Sequence, residues 1–186
     1  MDLHPIATPS NEDERRAVDA AIGPASEGVP DRASAAAAKA SRAMLLPALH
    51  AVQARFGWVS PGALGYICER LGVPPAEAYG VATFYSLFAM SERPPAVVHV
   101  CDDIACKLAG ADGLCAGVEK ALGAAGGAWM RSPCLGLCEQ APAAMLVSAG
   151  PELYERAWGN ATVESIAEAL EKKRIPETPP AVLHQR

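Results

Sequence analysis

The sequence contains no run of Lys and Arg longer than the three residues at 172–174 and no basic stripe, and its formal net charge is −5. A protein that grips a phosphate backbone by releasing counterions is therefore not expected. No apolar stretch approaches the roughly 18 residues that a bilayer-spanning helix needs. The first 30 residues hold no basic segment followed by an apolar one, so no secretory signal is expected and the protein is read as soluble and cytoplasmic. A Gly-rich nucleotide fingerprint, a Cys-x-x-Cys dithiol and an internal repeat are all missing as well.

What is present is cysteine, six residues in a chain of 186. Four of them form two close pairs, Cys101-x4-Cys106 and Cys134-x3-Cys138. In a reducing compartment closely spaced thiols serve as metal ligands or redox groups more often than as disulfides. A two-iron cluster needs four thiolates, two to each iron, on loops short enough to chelate. Structural four-cysteine zinc sites favour two-residue spacings, so x4 and x3 suit zinc less well. The pattern therefore points to a [2Fe-2S] cluster on Cys101, Cys106, Cys134 and Cys138, with a zinc-stabilised interaction module as an alternative. Gly136 sits inside the second pair, where a tight turn around sulfide would need glycine; an ordinary turn explains it equally well. Cys68 and Cys115 fall on apolar helical faces and read as inert core thiols. Cys115 is close enough to Cys106 in sequence that an exchange of ligand stays open.

The rest of the chain divides around these pairs. Residues 1–30 carry Pro5, Pro9, Pro24 and Pro30 and few large apolar groups. They read as a flexible arm, with a short helix near 12–21 if something covers Val18 and Ile22. Residues 31–92 read as a helical bundle. One helix opens with the alanines at 35–38 and continues past Pro47 through Leu49, Val52 and Phe56. A second starts at Ser60-Pro61 with Leu64, Ile67, Cys68 and Leu71 on one face. A third starts at Pro74-Pro75 and runs to about Phe84. Residues 93–174 change texture, with strands predicted at 96–100, 128–131, 144–147 and 152–157 and helices at 108–122 and 162–173. That order suggests an α/β fold, a small sheet with helices on its faces. The prolines at 176, 179 and 180 mark 175–186 as a tail.

These motifs resemble a known family. The two cysteine pairs, the second as Cys134-Leu135-Gly136-Leu137-Cys138-x-x-Ala141-Pro142, occur with Tyr79-Gly80-Val81-Ala82-Thr83-Phe84-Tyr85 upstream. Together they are similar to the 24-kDa-type subunit of NADH dehydrogenases, from about residue 43 to 170. That family includes equivalent subunits of respiratory complex I, NAD-linked hydrogenases and NAD-dependent formate dehydrogenases. The resemblance implies a thioredoxin-like [2Fe-2S] ferredoxin domain behind an N-terminal helical bundle. It also implies an electron-transfer subunit with no bond-making activity of its own. FMN, NAD and a [4Fe-4S] cluster would lie on a partner flavoprotein subunit within a larger assembly. A free ferredoxin-like shuttle is the alternative, although a shuttle gains little from a docking subdomain. One departure stands out: Asp102 and Asp103 occupy positions where the family commonly has small or hydroxyl residues. Two carboxylates there would oppose reduction of an anionic cluster unless solvent screens them, with Lys107 and Arg131 offsetting part of the charge.

Overall fold

The computed structural model describes residues 8–23 and 41–174. The alanines at 35–38 and the tail at 175–186 lie outside the described residues. Two compact units emerge: one runs to Pro95 and includes Ala149–Leu153, and the other begins at Ala96.

The first unit is helical: α1 (Glu12–Ile22), α2 (Leu45–Phe56), α3 (Pro61–Leu71) and α4 (Pro75–Phe84). Its core is built from Val18, Leu49, Val52, Ile67 and Ala82, all fully buried. Pro47 falls in the first turn of α2, where an amide hydrogen has no partner inside the helix, so it neither kinks nor interrupts it. The predicted face of α3 is buried at all four positions, and Gly72 closes the helix with φ +64°.

Residues 12–22 are not a free arm. Asn11 and Glu14 form a reciprocal capping box with both hydrogen bonds at 2.8 Å. The Ser60 hydroxyl donates to Glu14 at 2.5 Å while accepting from the Ala63 amide, so the cap of α3 holds the first turn of α1. At the other end Arg70 pairs with Asp19 and donates to the Gly23 carbonyl at 2.8 Å. The cover that Val18 needed comes from within this unit. Gly62 permits the contact, since a Cβ there would stand 2.7 Å from the Pro9 carbonyl oxygen.

The second unit is built from β1 (Ala96–Cys101), α5 (Ile104–Leu108), α6 (Ala111–Leu122), β2 (Trp129–Ser132), β3 (Ala144–Ser148), β4 (Tyr154–Trp158) and α7 (Val163–Lys172). The sheet order is β2-β1-β3-β4, with β2 parallel to β1 and the other pairings antiparallel. Parallel pairing needs a crossover, and α6 supplies it. Trp129 anchors the return, fully buried, with its indole N–H donating to the Gly123 carbonyl at 2.8 Å. Val98, Val100, Leu146, Cys115, Val118 and Ile166 share the core between the sheet and helices α6 and α7. Helix α7 turns Ala169 rather than Ala167 into the core beside Ile166. The helix expected over 108–122 starts at Ala111, because Gly110 takes φ +90° before it, and the short α5 upstream is a separate helix.

Candidate metal centre

Strand β1 ends at Cys101, and its register pairs Cys101 with Ser132 at the end of β2. The parallel ladder thus delivers the first cysteine loop and the second, which starts two residues after Ser132, to the same sheet end. The Cys101 amide donates to the Ala143 carbonyl at 3.0 Å, and the Asp102 amide to the Ser132 carbonyl at 3.1 Å. Three chain segments converge there: the end of β1, the exit of β2 and the approach to β3.

The predicted residues come together. Cys101, Cys106, Cys134 and Cys138 line one cavity of about 320 Å³ with Asp103, Ile104, Ala105 and Leu108. Cys101 and Cys106 are buried, whereas Cys134 and Cys138 are exposed. Cys134 and Cys138 stand 3.4 Å apart sulfur to sulfur. Among the described residues no three His, Cys, Asp or Glu side chains cluster for a single ion; the thiols are arranged as pairs. One thiol of each pair is harder to ionise than an ordinary cysteine. Burial pushes the Cys106 thiol up, reinforced by the neighbouring Cys101, with the Ala143 amide opposing. Cys138 is raised by its hydrogen bond with Cys134. A cation placed among these thiols would favour their ionised form, as ligation by thiolate requires.

The loop geometry fits a sulfur-rich group. Gly136 adopts φ +80°, and its amide donates to the Cys134 sulfur at 3.4 Å. Beyond that, nothing stands within 4 Å of the place its Cβ would occupy, so backbone conformation is the reason for glycine there. Cys115 is fully buried on α6, its thiol raised by desolvation. Cys68 is buried in the helical unit, its thiol pushed up to about 11 mainly by burial. Neither lines the cavity.

Two features were not foreseen. Helix α5, which carries Cys106, has Asp103 as its N-cap; Asp103 Oδ1 accepts from the Ile104 amide at 2.7 Å. The signal was there in an Asp before a short apolar segment. Asp102 and Asp103 also have partners rather than water alone. Asp102 pairs with Arg131 at 3.2 Å, and Arg131 stands 3.7 Å from Asp112. The Arg131 guanidinium is held further above its usual range by the Asp102 hydrogen bond. At the cavity mouth Ile104 and Leu108, one helical turn apart, are 76% and 87% exposed.

A small mixed sheet with thiol pairs on its loops defines a class, the thioredoxin-like ferredoxins. Residues 32–174 match the thioredoxin-like [2Fe-2S] ferredoxin family, and the chain belongs to it. A [2Fe-2S] cluster is the cofactor of that family. The chain is 37% identical over 113 residues to a subunit of the NADH-quinone oxidoreductase of Pseudomonas aeruginosa, covering 56% of this chain and 68% of that one. To the same subunit from Escherichia coli it is 33% identical over 139 residues, covering 70% and 80%. Among solved structures, an NAD+-reducing [NiFe]-hydrogenase in the air-oxidized state is similar with a TM-score of 0.52 and 25% identity, over 73% of this chain. The chain spans 24% of that hydrogenase chain. Among the described residues no helix is long and apolar enough to cross a membrane.

Proposed function

We propose that this protein is the electron-transfer subunit of a multisubunit NAD(H)-dependent oxidoreductase, with Cys101, Cys106, Cys134 and Cys138 as the ligands of one [2Fe-2S] cluster. The observation that carries this is the lining of a single cavity by two thiol pairs at the end of a thioredoxin-like sheet. When bound, the cluster supplies a one-electron couple. The chain's own residues do the rest. The buried Cys101 and Cys106 and the exposed Cys134 and Cys138 would hold it, and the Gly136 amide donates to the Cys134 sulfur. Asp102 and Arg131 set the charge beside Cys101.

The proposed partner is a flavoprotein subunit carrying FMN, the NAD site and a [4Fe-4S] cluster. Similarity to NADH-quinone oxidoreductase subunits and to an NAD+-reducing hydrogenase supports this. So do the exposed apolar groups, Ile104 and Leu108 in one unit and Phe84 and Tyr85 in the other, which a covering subunit would remove from water. The terminal substrate belongs to other subunits of the assembly.

The test is purification of the tagged full chain from its native host under mild conditions. Stoichiometric FMN in the eluate, with NADH-dependent reduction of an artificial acceptor, is the expected result. Elution of the chain by itself, carrying iron but no flavoprotein, would favour the shuttle instead.

A further inference from the structure

The parallel backbone ladder between β1 and β2 ends at Cys101 and Ser132, with one further bond from the Asp102 amide to the Ser132 carbonyl. Past that point the two cysteine loops diverge, the first turning into α5 and the second reaching out to Cys134. Asp103 continues the connection with its side chain. One carboxylate oxygen accepts the Ile104 amide at 2.7 Å, and the other accepts the Cys134 amide at 3.2 Å, across 31 positions in sequence. Both amides belong to cysteine loops: Ile104 opens the helix that carries Cys106, and Cys134 is itself one of the exposed thiols. Asp102, one residue earlier, pairs its carboxylate with Arg131 instead.

We propose that Asp103 is a positioning residue, whose carboxylate clamps loop 134–138 to loop 101–106 and thereby fixes how Cys134 faces the metal group. This rests on the ligand reading given above. Two oxygens are required because two amides must be satisfied at once. A hydroxyl at this position retains a capping acceptor but has no second oxygen to reach Cys134. The exposed pair is the one that needs such a tie, since Cys134 and Cys138 lack the burial that holds Cys101 and Cys106.

The test compares Asp103→Ser with Asp102→Asn in the full chain, each of which removes one carboxylate near the cavity. In iron-free protein, hydrogen exchange at the Cys134 amide is expected to accelerate about tenfold or more in Asp103→Ser, the factor carried by a hydrogen bond to a charged acceptor. Asp102→Asn leaves that exchange as in the parent. In iron-loaded protein, Asp103→Ser is expected to release iron to a chelator about tenfold faster, with altered g-values in the reduced EPR spectrum. Asp102→Asn keeps the parent's release rate. Parental exchange at Cys134 in Asp103→Ser, or equal acceleration of release by both variants, would overturn the clamp. Failure of the ligand reading shows differently, as a parent protein without visible bands, and the exchange measurement then still decides the clamp.

Discussion

Exchanging Asp102 for Asn removes one of two negative charges that flank Arg131 and leaves the backbone of the first cysteine loop intact. Adjacent Cα atoms are about 3.8 Å apart, which keeps this carboxylate within roughly 10 Å of anything Cys101 ligates. At that separation and an effective dielectric of about 40, between the surface and bulk-water values, one unit charge is worth about 0.8 kcal/mol. For a one-electron couple this converts to about 35 mV. Because reduction adds negative charge to the metal group, the midpoint potential is expected to rise by that amount. Arg131 does not cancel the effect, since it remains in place and then faces Asp112 at 3.7 Å with less opposing charge. Arg131→Gln is expected to shift the potential downward by a similar amount, and the double variant to fall near the parent. Arg131 and Asp102 side chains are 44% and 28% exposed, so both shifts should shrink toward zero in 1 M salt, where the Debye length is about 3 Å. The assay is a potentiometric titration followed by EPR at low and high salt. An unchanged or lower potential in Asp102→Asn at low salt would refute the electrostatic reasoning.

Four further outcomes are expected. Cys101→Ser and Cys134→Ser lose or strongly alter the visible spectrum, whereas Cys68→Ser and Cys115→Ser retain the parent's bands and iron content. Gly136→Ala forces a side chain into φ +80°, costing about 1–2 kcal/mol with no steric clash to relieve, so the iron-loaded protein melts at a lower temperature without losing iron at rest. Cys68, its thiol pushed up to about 11, resists alkylation at pH 8 in native protein and reacts on unfolding. The raised value has a stability consequence. The unfolded thiol ionises near its ordinary 9.0 while the folded one stays protonated, so Cys68 contributes stability below that pH and loses it as pH climbs toward about 11. Urea unfolding of parent and Cys68→Ala across that window checks this.

The grouping of the four cysteines around one cavity was legible because close spacing is a local property. Spacings of four and three residues show in the sequence itself, and each strand ahead of a pair announces itself by β-branched or aromatic residues. That Gly136 sits in a turn was legible too, since φ +80° is what a turn glycine adopts; its role toward sulfur was not. The flanking elements were harder. Helix α1 was legible only on the condition that something cover Val18 and Ile22, because its stabilising partners, Ser60 and Arg70, lie more than 40 residues away. Helix α5 escaped because a single turn has no measurable period, and its cap, Asp103, looked like a charge to be weighed rather than a hydrogen-bond acceptor. The pairing of Asp102 with Arg131 depends on strand register, since the parallel alignment of β1 and β2 sets Val100 opposite Arg131. Composition and periodicity contain no such information.

The central claim is that these four thiols hold one two-iron cluster, and the direct measurement is absorbance and EPR of anaerobically purified protein, with iron and sulfide counted. Visible bands that bleach on dithionite reduction, a rhombic half-integer-spin signal, and about two irons with two sulfides per chain are expected. A colourless protein with one zinc per chain would contradict it.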